Sequence, residues 1–130
     1  MPLDNADTVA PGEDVSFPND GVVFGTSITR LNDTTFNLGE IGTYQVFFQV
    51  PVSEAGQLQL ALNATPISST IVGRATGTSD IAGMSIIDTT SINSLLTVRN
   101  PDDNATVLTI TPNAGGTQPV SAHLIIVRIR

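Results

Sequence analysis

The sequence predicts an all-β domain of about ten short antiparallel strands, and three observations carry that prediction. From Tyr44 onward the even positions Tyr44, Val46, Phe48, Val50 and Val52 are apolar, while Thr43, Gln45 and Gln49 between them are polar. That period of two belongs to a strand, whose successive side chains point to opposite faces. Gln57 to Asn63 repeats the pattern, with Leu58, Leu60 and Leu62 set against Gln57, Gln59 and Asn63. Third, the chain is rich in Thr, Ser, Gly, Asn, Val and Ile, holds no Lys, and shows no helical apolar stripe. Such a composition favours strands and turns over helices.

Taken in order, residues 1–12 lack periodicity and read as a flexible lead-in, leaving residues 13–130 as one domain. Val15 to Phe17 suits a short strand, closed by the turn cluster Pro18-Asn19-Asp20-Gly21. Val22 to Thr29 reads as a second strand interrupted by Gly25, and Asn32-Asp33 as the next turn. Thr35 to Leu38 then leads through Gly39-Glu40-Ile41-Gly42 into the long strand, part of the stretch from Phe36 to Val52 that holds three of the five Phe and the single Tyr. Gln57 to Asn63 is expected to have one dry and one wet face, as in an outer sheet. After a turn at Asn63 to Pro66 come Ile67 to Val72 and a Gly/Thr/Ser-rich loop, Gly73 to Asp80, containing Arg74. Ile81 to Thr89, Ser94 to Arg99, Ala105 to Thr111 and Ala122 to Arg130 complete the strands, with Pro112 to Pro119 as a loop.

Charge and length exclude several functions. A net charge of −7, with five Arg and no Lys, cannot assemble the basic patch that a phosphate backbone requires, so nucleic acid is not an expected partner. Anionic membrane surfaces are disfavoured for the same reason. Residues 1–14 are acidic without an apolar centre, which does not read as a signal peptide. The longest apolar run, Leu124 to Val127, is too short to span a bilayer, so membrane insertion is not expected. With no Cys, neither disulfides nor thiolate metal sites are available.

Two strands break the one-dry-face rule. Ile81 to Thr89 and Ala122 to Arg130 are apolar on both parities for much of their length, and with no helices to cover a second face the expected cover is another copy of the chain. Phe47, flanked by Gln45 and Gln49 on the odd face of the long strand, is assigned to that subunit interface. His123, the sole His, lies on the apolar parity of the last strand and reads as a packed or interface residue rather than a catalytic one. Arg128 reads either as pairing with an acid across the subunit boundary or as a solvated strand end.

Catalytic and metal sites are expected to be absent. Asp102, Asp103 and Asn104, or Asp4, Asn5 and Asp7, supply oxygen ligands of the kind calcium prefers, yet neither group follows a calcium-loop pattern, and no cofactor is assigned. Asn32, Asn63 and Asn104 each begin a glycosylation triplet, and all three fall in expected turns, where Asn and Thr are common anyway.

The order of residues also carries a resemblance. Phe36, Gly42 and Tyr44, followed by Val46 where Phe is usual, resemble the signature of the complement globular-head and tumour necrosis factor superfamily. More extensively, VSFPNDGVVFGTSITRLNDTTFNLGEIGTYQVFF, then Ile71 to Gly77 and Ser94 to Asn100, is similar to the C-terminal domain of Bacillus collagen-like spore-surface glycoproteins, the BclA family. The resemblance implies a jelly-roll β-sandwich that forms a homotrimer, caps a collagen-like stalk in cis, and sits at the tip of exosporium filaments on the bacterial spore surface. It implies a structural, non-enzymatic role among other spore-surface proteins. A binding module recognising a host protein or glycan through its loops is the alternative. The chain itself contains no Gly-X-Y repeat.

Overall fold

The long alternating strand becomes the centre of a three-stranded sheet. The computed structural model describes residues 8–76, 80–111, 116–117 and 122–130. Within them lie β1 (Thr8–Val9), β2 (Ile28–Arg30), β3 (Phe36–Leu38), β4 (Thr43–Val50), β5 (Gly56–Leu62) and β6 (Thr65–Pro66). A single 3₁₀ turn, Ser68–Thr70, is followed by β7 (Val72–Arg74), β8 (Ile81–Asp88), β9 (Ser94–Arg99), β10 (Leu108–Thr109) and β11 (His123–Arg128). No α-helix occurs among the described residues.

One sheet has the order β11-β4-β8, and a larger one runs β2-β3-β9-β5-β6 with β7 also paired to β5. β1 and β10 form a separate antiparallel pair. Every strand pairing among the described residues is antiparallel. This is a jelly-roll-like β-sandwich, as expected. Its core is built from inward residues of the sheets: Tyr44, Val46, Phe48, Val50, Ile81 and Ile87 from one, Leu38, Leu58, Leu60, Leu96 and Val98 from the other. The even face of β4 is at most 1% exposed. The buried Tyr44 hydroxyl donates to the Glu40 carbonyl (2.5 Å), so the ring enters the core without an orphaned polar group. Gly42, just before it, sits where a Cβ would collide with the Arg130 carbonyl, which explains Gly at that point of the signature.

Several expectations need correction. The lead-in does not extend to residue 12: Thr8–Val9 pair with β10, Val9 is buried in the core, and Gly12 donates its N–H to the Asn100 carbonyl (2.8 Å). Val15 and Phe17 are core residues, but Asp14 makes only an isolated bridge to Arg99, so no strand forms there. Val22 to Thr29 is not a strand over most of its length; regular pairing begins at Ile28, and Val22, Val23 and Phe24 stand 85%, 60% and 90% exposed. Ile67 to Val72 is mostly the 3₁₀ turn, and β7 continues through Arg74 into the expected loop. Of Ala105 to Thr111, only Leu108–Thr109 is strand. The Gly/Thr/Ser loop at 77–79 and most of the 112–119 loop lie outside the described residues.

β5 differs for a topological reason. Gln59 was expected in water with Gln57 and Asn63, yet it is 3% exposed, and Ala61 on the same parity is fully buried. The strand lies between β9 on one side and β6 and β7 on the other, with Gln59 in register with Arg99, whose guanidinium is held by Asp14 (3.0 Å). Alternation identified the strand correctly and misjudged the surroundings of its polar face.

Candidate functional site

The candidate site is the face of the β11-β4-β8 sheet that points away from the core. Directly opposed residues in an antiparallel ladder project from the same face. β4 places Gln45, Phe47 and Gln49 outward; β11 sets Val127, Ile125 and His123 opposite them, and β8 sets Ile86, Met84 and Ala82 on the other flank. The centre row is therefore Ile125, Phe47 and Met84. Met84 is 61% exposed, Ile86 66%, Ile125 54% and Val127 46%. No acid and no Arg stands among these nine residues, although the chain carries twelve acids.

Polar groups edge this surface. At one end the Asp88 carboxylate accepts from the Thr43 hydroxyl (2.6 Å). At the other the Gln49 amide donates to the Asp80 carboxylate. Gln45 reaches across the ladder, its Nε2 3.0 Å from the Met84 sulfur. An apolar centre with a polar margin is the anatomy of a protein–protein contact, and exposed apolar patches of this kind on a soluble domain mark interaction surfaces.

Gln45, Phe47, Gln49 and His123 are thus brought together on one face, as the parity of their strands requires. Arg128 is not. It has the opposite parity on β11, level with Tyr44, and its guanidinium donates to the Ile41 carbonyl (3.0 Å) and to Glu40 (3.4 Å) of its own chain. Met84, Ile86, Ile125 and Val127 were not singled out from the sequence, although the two-sided apolar patterns of their strands were the signal that could have found them.

The other candidates resolve into local structure. Among the described residues, no group of three or more His, Asp or Glu could hold a metal ion. In the loop after β9, Asp102 faces Arg99 (3.9 Å) and Asn104 donates to Gln57 (3.2 Å). Asp4, Asn5 and Asp7 lie outside the described residues. Asn32 closes a local turn by accepting from the Thr34 N–H (3.0 Å), and the Asn63 side chain accepts from the Leu95 N–H (2.9 Å). These triplets serve turns.

Arg74, read as a loop residue, instead fastens the connection between β4 and β5. Its guanidinium donates to the Val52 carbonyl and to the Glu54 carbonyl (2.5 and 3.1 Å). Beyond that connection Glu54 reaches β10: its carboxylate accepts from the Thr109 N–H and hydroxyl, both at 2.7 Å. Partial desolvation raises the Glu54 carboxyl, but the hydrogen bonds from Thr109, with those from its own backbone N–H and Ser53, together outweigh it and hold the group below its usual range.

Comparison with known proteins agrees with this architecture. No curated protein matches the chain. The family description of the BclA C-terminal domain matches residues 5–130. With nearly its whole length aligned to that description, and a jelly-roll-like sandwich presenting an apolar sheet face, the chain belongs to the BclA C-terminal domain family.

Proposed function

We propose that this chain is a non-enzymatic structural head whose copies associate as a homotrimer, forming the distal knob of a collagen-like filament on the bacterial spore surface. The observation that carries the reading is the apolar centre of the outer face of the β11-β4-β8 sheet, where no acid and no Arg stands and Asp80 and Asp88 keep to the two ends. Copies with a net charge of −7 repel one another, so association requires a surface from which acids are excluded. Gln45, Phe47, Gln49 and His123 are the proposed contact residues, joined by Met84, Ile86, Ile125 and Val127. Fully burying one such aliphatic or aromatic side chain is worth about 1.5–3 kcal/mol, so the face can drive association without ion pairs. Threefold symmetry, the stalk and the spore-surface location come from the family, and the face supplies a physical basis for the assembly.

The test is the mass in solution. Light scattering at micromolar concentration should give three times the chain mass. Met84→Arg, which places a charge at the centre of the face, should give a folded monomer. A wild-type monomer, or an unaffected Met84→Arg trimer, removes this reading.

A further inference from the structure

Val22, Val23 and Phe24 pose a separate question. No other consecutive large apolar residues among the described ones are so exposed, at 85%, 60% and 90%. The segment is also presented deliberately. On one side Arg30 Nε and Nη2 both donate to Asp20 Oδ1 (3.0 and 2.7 Å), while the guanidinium lies 4.9 Å from the centre of the Phe36 ring. On the other side the Gly39 N–H donates to the Ser27 carbonyl (2.7 Å). Gly25, at φ +75°, turns the chain in a way other residues resist. An apolar tip fastened at both ends cannot fold back onto its own core.

A recess of about 420 Å³ lies elsewhere on the protomer, lined by Leu62, Ile67, Ile86 and Ile87 with Ser69 and Asp88. It has room for an aromatic side chain. The tip is fastened beside β2, and the recess is formed where β5 gives way to β6 and meets β8; β2 and β6 are the two ends of the larger sheet. Tip and recess therefore sit at opposite edges of one protomer and cannot satisfy each other within it. Ile86 belongs both to the recess and to the outer sheet face.

We infer that Val22, Val23 and Phe24 of one copy seat in the Leu62–Ile67–Ile86 recess of the next. Such a contact joins unlike patches, and repeated through a rotation that closes, it makes a ring rather than a face-to-face pair. The inference rests on the proposed homo-oligomer and adds to it a direction around the ring. The three residues of the tip carry no charge of their own, and the acid at its base, Asp20, is paired with Arg30 (2.7 Å).

The absence of Cys makes the contact directly testable. Phe24 and Ser69 are both exposed in the protomer, so Phe24→Cys and Ser69→Cys should fold. Mixed and oxidised in air, the two single variants should give a covalent dimer on a denaturing gel. A chain carrying both should give a covalent trimer, and each single variant alone should stay monomeric. Independently, Phe24→Ser and Ser69→Arg should each raise the concentration at which the trimer dissociates by roughly tenfold or more, a loss of about 2.7 kcal/mol or more per trimer, about 0.9 for each of its three contacts. If the wild type is oligomeric but no Phe24–Ser69 disulfide forms and both variants dilute like the wild type, the tip contact is wrong and the sheet-face assembly stands. A wild-type monomer overturns both.

Discussion

The two faces of β4 come from one stretch of chain and do opposite things. The inner residues Tyr44, Val46, Phe48 and Val50 are buried against the second sheet, while the outer residues Gln45, Phe47 and Gln49 share an apolar surface with β8 and β11 whose Met84, Ile86, Ile125 and Val127 are exposed. The inner face is set by packing and tolerates little change, because protein interiors are as dense as organic crystals. The outer face is the proposed association surface and should tolerate change in the isolated chain. Strand periodicity separates the two faces; it does not say which apolar face the protein keeps for itself.

The sharpest way to test that contrast is at the adjacent aromatic pair. Phe48→Ala should destabilise the protomer by about 3–5 kcal/mol, the cost of emptying a buried Phe site. Phe47→Ala should leave the denaturant midpoint of the monomer nearly unchanged and weaken the oligomer in light scattering. If both variants remain equally stable and equally assembled, the assignment of faces fails.

β8 offers a second pair with a smaller effect. A Cβ on Gly83 would lie 2.9 Å from both Phe48 Cζ and Val72 Cγ2, so Gly83→Ala should cost about 1–3 kcal/mol through overpacking. The neighbouring Ala82 faces outward, and Ala82→Val should leave protomer stability within about 0.5 kcal/mol, as exposed substitutions usually do. Thermal denaturation of the two variants distinguishes inner from outer on this strand.

The turn between β5 and β6 predicts a gain instead. Leu62 pairs with Thr65, leaving Asn63 and Ala64 as a two-residue loop with φ of 53° and 65°. Such a loop favours Asn-Gly, because both central residues are left-handed. An L-residue pays about 1–2 kcal/mol for that conformation, and Gly returns about 0.5–1 through its greater freedom when unfolded. Ala64→Gly should therefore stabilise by about 0.5–1 kcal/mol, read as a raised denaturant midpoint.

The smallest expected effect is the pH dependence at Glu54. Its carboxyl is held below the ordinary range when folded, so its contribution is complete above the unfolded value of about 4.3 and fades as pH falls through the folded value. Glu54→Gln should reduce the loss of stability on acidification in that window, with little change near neutrality. An unchanged acid limb in the variant would show that the Thr109 bonds carry no pH dependence.

What could be read from the chain follows from what side-chain periodicity reports. β4, β8, β9 and β11 are long enough for parity to identify them, and the shared outward face of Gln45, Phe47 and Gln49 follows from the same parity. Gln59 was misread because alternation shows that a strand has two faces but not how many neighbours flank it. Val22 to Phe24 was misread for the converse reason: three apolar residues in a row imply burial only if a core awaits them. The role of Arg74 depends on carbonyls twenty residues away, at Val52 and Glu54, which no local pattern encodes.

The order of strands in the assembly sheet has a consequence for the ribosome. β4 lies in the first half of the chain and is flanked by two strands from the second half, β8 and β11, the last of the described strands. Ile125 and Val127 are therefore synthesised long after Phe47, and the face is incomplete while they remain in the exit tunnel. On the proposed assembly, nascent chains held on one messenger cannot present a finished contact surface to one another until each has placed its own β11. For a protein whose sheets join residues as distant as Thr8 and Thr109, such a delay would keep slow long-range folding apart from premature entanglement with neighbouring copies.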